Sequence, residues 1–155
     1  MSAVINHTPF LTRAFSLAEH AFSQGNRPFG ALLVIANKIV LETENSVISA
    51  NDITAHAEMN LLRRLWQQFN EGLLSQATLY SSTEPCLMCA GAILNTPIRH
   101  VVYGCGARCL HELAQQSSLS LTGRDVLLSS GSSMLVEGPL LESEALDVHK
   151  QHPWW

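Results

Sequence analysis

The sequence predicts one α/β domain whose last two strands run parallel, and three observations carry that expectation. A helix-spaced apolar series near the amino end is followed by a two-strand hairpin pattern, and strand-like and helix-like runs then alternate. Between "HVVYG" and "DVLLSS" lies a crossover of about twenty residues that itself contains a helical stretch. Such a crossover joins parallel neighbours, whereas an antiparallel pair needs only a turn. The 155 residues are 46% hydrophobic, enough for one sizeable core, and no repeat, low-complexity segment or linker divides them. Residues 1–155 are therefore expected to form a single domain.

Taken in order, Thr8 and Pro9 make an N-cap and first-turn pair, and Phe10, Leu11, Ala14, Phe15, Ala18, Ala21 and Phe22 then recur at helical spacing up to Gly25. "GALLVIANKIVLETENSV" reads as strands over 31–36 and 39–44 joined by a tight turn at Asn37 and Lys38. A second helix is expected from Ala55 or His56 to about Phe69, with Gly72 as terminator. "ATLYSS" is a strand, and Pro85 opens a third helix that Pro97 ends. "HVVYG", "ARCLHELAQQ" and "DVLLSS" read as strand, helix and strand, and the tail "GPLLESEALDVHKQHPWW" as a short helix with an apolar terminus.

Composition narrows the function classes. Nine basic residues stand against 13 acidic ones, a net charge of −4, and no basic run forms a stripe for a polyanion. "MSAVINHTPFL" lacks the basic-then-apolar order of a secretory signal, and Ala31–Ala36, the longest apolar run, is far too short to span a bilayer. A soluble cytoplasmic protein with no membrane partner is expected. In a reducing compartment, the close spacing of Cys86 and Cys89 favours metal ligands over disulfides.

The chemistry concentrates at two helix starts, "HAE" and "PCLMC", which the alternation of elements brings to one crevice at the sheet's edge. Cys86-x-x-Cys89 on a first helical turn lets both sulfurs reach one ion, and the positive helix end favours the thiolates that bind zinc. His56 supplies a third ligand. Three protein ligands leave the fourth position for water, which marks catalytic rather than structural zinc, and Glu58 then serves as proton carrier. Taken singly, a Cys-x-x-Cys is often a redox pair or half of a structural site, and a His-x-Glu is usually incidental. Together, in this order, they match the zinc deaminase signature.

With "RPFGALLV", "NDITAHAE" and "LYSSTEPCLMCAGAIL", the chain resembles the cytidine deaminase superfamily over roughly residues 8 to 129. The resemblance implies a three-layer α/β/α sandwich with a five-stranded mixed sheet, Zn2+ on His56, Cys86 and Cys89, and Glu58 as proton shuttle in hydrolytic deamination. The helix expected between the last two strands is similar to the branch that includes guanine, cytosine and tRNA adenosine deaminases. Members of that branch are often homodimers, which is the expectation here. Backbone N–H groups at the helix starts, such as those of Ala57 and Cys86, are placed to hold a tetrahedral species.

Substrate contacts are carried over position by position. Phe29 resembles the aromatic that stacks on the purine in guanine deaminase, with plain core packing as the alternative. Asn45 matches an asparagine that reads a base edge, or is a turn residue, and Glu84 matches a position often acidic in the branch, or shapes its loop. Trp154 and Trp155 are expected to close over a flat base, or to dock on the core or on a dimer partner. Two departures stand against guanine: Ile53 replaces the proline that usually follows the aspartate in "NDITAHAE", and "GCGARCLHELAQQSS" lacks the acidic motif that helps guanine deaminase recognise its base. A second metal site on Cys105, Cys109 and His111 is conceivable, though buried thiols are commoner. His7, His20, His100, His149 and His152 show no ligand spacing. The sequence thus favours a zinc-dependent deaminase of a small base, nucleoside or related heterocycle. A tRNA adenosine deaminase is the alternative, and a non-catalytic zinc domain comes third.

Overall fold

The computed structural model describes residues 3–129, 131 and 133–155. Pro9 in the first turn opens α1 (Thr8–Ser23), and Phe10, Leu11, Ala14, Phe15, Ala18 and Ala21 form its buried stripe. β1 (Gly30–Ile35) and β2 (Lys38–Glu44) make the hairpin. The two central turn residues are Ala36 and Asn37, both left-handed at φ 50° and 61°, so the turn sits one residue earlier than expected and has the primed geometry that matches strand twist. After α2 (Val47–Ala50) and the loop to His56 come α3 (Ala57–Leu62), α4 (Leu65–Gln68) and α5 (Glu71–Leu74). The single helix expected from His56 to Phe69 is therefore broken, and Gly72 lies inside a helical turn instead of ending one. Asn70 explains the restart, because its side chain accepts from the Leu73 amide and caps α5.

β3 (Thr78–Thr83), α6 (Leu87–Leu94), β4 (His100–Cys105) and α7 (Ala107–Leu113) follow as the sequence indicated. "DVLLSS" is a correction. Residues Gly123–Leu128 form a helix, α8, and Ser130 lies outside the described residues. Thr122 and Asp125 form a capping box, each side chain bonded to the other's backbone N–H, and that local bond set favours a helix over a strand for a short apolar run. The strand beside β4 is instead β5 (Leu135–Glu137), and α9 (Glu142–Gln151) closes the chain.

The sheet order is β2-β1-β3-β4-β5, with β1 antiparallel to both neighbours and the β3–β4 and β4–β5 pairs parallel. The parallel ending expected from the crossover stands, on a different strand. Successive residues face opposite sides of the sheet. Leu33, Leu79 and Val101 pack with Leu61 of α3, Ile93 of α6 and Leu127 of α8, while Leu32, Tyr80 and Val102 pack with Leu11 and Phe15 of α1 and Val148 of α9. These two cores make the three-layer α/β/α sandwich. No described helix is long and apolar enough to cross a membrane.

Candidate active site

Because β3 and β4 run parallel, both end at the same edge, where the chain turns into α6 and α7. Ligands bind in α/β sheets at such carboxyl-terminal edges. Cys86 is the N-cap of α6 and Cys89 lies in its first turn, while His56 is the N-cap of α3 and Glu58 lies in that helix's first turn. A cavity of about 210 Å³ opens here, small beside the pockets that hold drug-sized ligands.

His56 Nδ1 lies 3.5 Å from Cys86 Sγ and 3.6 Å from Cys89 Sγ, and the three donor atoms all fall within 4.8 Å of one another. A tetrahedral zinc ion with ordinary Zn–N and Zn–S lengths sets nitrogen and sulfur about 3.5 Å apart, so the triangle fits that metal in both spacing and donor type. The hydrogen bond from Cys89 is the main reason the Cys86 thiol falls to about 4, and the same bond, with burial, pushes Cys89 up. The hydrogen bond to Cys86 raises His56.

Glu58 is only 6% exposed. Ser81 Oγ donates to its Oε1 at 2.8 Å and Cys89 Sγ to its Oε2 at 3.6 Å, and burial is the leading cause that raises its carboxyl above the usual range. The site thus holds a carboxylate on one side of the ligand triangle, with both oxygens pinned.

The remaining expected contacts separate. Phe29, Asn45, Glu84 and Trp154 line the cavity. Phe29 meets Trp154 edge-to-face with centroids 5.2 Å apart. Asn45 Oδ1 accepts from the Val47 amide, so the turn role is realised, while among the described residues its Nδ2 has no protein partner. Glu84 accepts from the Ala107 and Arg124 amides and so ties the starts of α7 and α8 to the loop before Cys86. Ala57 is fully buried outside the cavity lining, with its carbonyl bonded to Thr43. Trp155 lies outside the lining too, 48% exposed and edge-on to Trp154. Cys105 is buried against Thr83, Cys109 donates to Glu142, and His111 bonds the Ser117 carbonyl. Those three do not gather as metal ligands.

Sequence reasoning missed Arg27, whose guanidinium lies 5.6 Å from the Trp154 ring centroid, and it missed Ser81, Thr83 and His149. It also missed a second cluster at the opposite end of the sheet. There His100 Nε2 and His7 Nε2 approach Glu137 Oε2 at 2.6 and 3.2 Å. No local spacing announces these, because apart from the His149–Trp154 pair, five residues apart, the partners come from distant segments.

The family model for the cytidine and deoxycytidylate deaminase zinc-binding region matches residues 5–105. The chain belongs to that deaminase family. A probable cytosine deaminase of Schizosaccharomyces pombe is 33% identical over 145 residues, covering 91% of this chain and 88% of the relative. The guanine deaminase of Bacillus subtilis is 42% identical over 90 residues, 57% of this chain and 58% of that protein. A structure from studies of A-to-I editing by tRNA:A34 deaminases superposes with a TM-score of 0.74 at 29% identity, over 91% of this chain and 99% of that one. The family match contains His56, Glu58, Cys86 and Cys89 and stops before Gly123 and Trp154, which help wall the deaminase's cavity.

Proposed function

We propose that this deaminase is a zinc-dependent aminohydrolase that replaces an exocyclic amine on a small nucleobase, nucleoside or related heterocycle with oxygen and releases ammonia. The observation that carries the reading is the sealed Glu58 carboxylate beside a nitrogen–sulfur–sulfur triangle of zinc dimensions. His56, Cys86 and Cys89 hold the metal, which when bound supplies a Lewis acid that makes water nucleophilic near neutral pH. Glu58 takes one proton of the attacking water and gives it to the ring nitrogen beside the amine-bearing carbon, then takes the second from the new hydroxyl as that becomes the carbonyl and gives it to the amine, which departs as ammonia. Ser81 keeps the carboxylate oriented between those transfers. Phe29 and Trp154 together wall the space that a flat ring would enter, and Asn45 Nδ2, with no protein partner among the described residues, offers a donor to its edge.

Ammonia release by zinc-loaded protein, measured across aminated pyrimidines, purines, pterins and triazines and their nucleosides, tests the reading. Release from a small compound is expected, and general acid–base catalysis of this kind is worth about 10²–10⁴ in rate, so Glu58→Ala should lose at least about a hundredfold. Silence across the panel sinks the small-molecule substrate. A tRNA-specific adenosine deaminase is the second reading, supported by the near full-length superposition on the tRNA:A34 deaminase structure. A homodimer is proposed as well. Ile53 ahead of His56, and Leu87 and Met88 beside Cys86, are exposed apolar side chains on segments that flank the site, and sedimentation at micromolar concentration should give twice the chain mass.

A further inference from the structure

His149 is an ionisable side chain of the cavity region that the deamination chemistry does not use. It is 1% exposed, and both of its ring nitrogens are engaged. Trp154 Nε1–H, which can only donate, points at His149 Nδ1 at 3.2 Å. Nδ1 must therefore present a lone pair, and in a neutral imidazole the hydrogen then sits on Nε2. Burial, reinforced by His152, lowers the imidazole to about 4 and keeps it neutral. His149 Nε2 lies 3.0 Å from Thr83 Oγ1 and donates to it.

That direction has a consequence at Thr83, which lines the cavity. With its oxygen already accepting, the hydroxyl has its own hydrogen to give. Among the described residues its other partner is Cys105 Sγ at 3.4 Å, a weak acceptor. A ring carbonyl or an unprotonated ring nitrogen in the cavity is the stronger partner.

We propose that Thr83 is a specificity-determining hydrogen-bond donor of this cavity, and that His149 and Trp154 are positioning residues that fix its polarity. This rests on the deaminase reading for the identity of the site. It adds that the substrate presents an acceptor to Thr83, and that a ring presenting a donor there is turned away, because two donors would then face each other. Trp154 has two roles in one side chain: its ring walls the cavity while its N–H sets the tautomer of the neighbouring His149.

Two measurements on the zinc-loaded full chain test this. Nitrogen-15 spectra of the labelled histidines should show His149 with a pyrrole-type Nε2 and a pyridine-type Nδ1 at neutral pH, and the opposite tautomer overturns the relay. Calorimetry with 2-hydroxypyrimidine and hypoxanthine, two acceptor-bearing rings with no amine to lose, reads recognition apart from turnover. Thr83→Val, nearly the same shape, should weaken at least one of them about tenfold, and Thr83→Ser should restore it. His149→Gln, whose amide also carries one donor and one acceptor, should retain affinity that His149→Phe loses. Equal affinity in wild type and Thr83→Val overturns the proposal, as does failure of the wild type to bind either ring. The deaminase reading stands or falls separately, on ammonia release.

Discussion

Glu58 and His149 are both ionisable side chains sealed from solvent, and burial moves them in opposite directions because their charged forms have opposite protonation. For His149 the folded value of about 4 lies below the ordinary 6.5. The unfolded chain therefore binds more protons between those values, and stability present above pH 6.5 is lost as pH falls towards 4. The linkage amounts to about 3 kcal/mol. Of the groups in contact with His149, Thr83, Phe29 and Trp154 carry no charge, and the His152 imidazole adds a Coulombic push in the same direction as burial. Thermal melts should show the wild type losing several degrees more than His149→Gln between pH 6.5 and 4.5, and parallel slopes would contradict this. The two kinds of residue also differ in how far the sequence announces them. The nitrogen–sulfur–sulfur triangle of His56, Cys86 and Cys89 was legible because Cys86-x-x-Cys89 and His56-x-Glu58 are local spacings at two helix starts. His149 was not, since Thr83 is 66 positions away and only the closed fold makes them neighbours.

Among the elements, α8 shows most clearly why local pattern reading fails and what it missed. Val126, Leu127 and Leu128 are a short apolar run that fits a strand or a helix equally well, whereas Thr122 and Asp125, three residues apart, carry the helix-start signal. The position of α8 depends on Gly123. A Cβ there would sit 1.7 Å from the Pro85 carbonyl oxygen, so the helix start lies backbone-to-backbone on the loop that delivers Cys86. Glu84 reinforces the same junction by accepting from the amides of Ala107 and Arg124. Gly123→Ala must push α8 off that loop, at an overpacking cost of about 1–3 kcal/mol. It should lower both the melting temperature and the zinc content, while an unchanged zinc content would show that the junction does not shape the metal site. The first helix, the hairpin and the parallel ending were legible from periodicity and crossover length. The restart after Gln68 was not, because Asn70 redirects the chain by one side-chain bond inside a helix-compatible run.

At the scale of the molecule, two apolar cores clamp one five-stranded sheet, and His56, Glu58, Cys86 and Cys89 gather at the carboxyl-terminal edge of β3 and β4. The class of reaction was readable because it resides in the two helix starts. The substrate was not, because Arg27, Thr83, Gly123 and Trp154 converge on the cavity from four separate segments. Charge bears on the polymer alternative, since at a net −4 the chain lacks the surplus of cations that tRNA binding exploits. A gel shift with tRNA should show no retention at physiological salt, and tight binding that weakens steeply with added salt would favour the tRNA reading. The central claim, that one zinc on His56, Cys86 and Cys89 and one proton carrier at Glu58 make a deaminase, is tested most directly by titrating metal-free protein with zinc. Ammonia release from the substrate that the panel identifies is followed at each step. Activity should rise in proportion to bound zinc and saturate at one ion per chain, while Glu58→Ala binds the same zinc and releases no ammonia. Ammonia release indifferent to zinc, or undiminished in Glu58→Ala, would contradict the account.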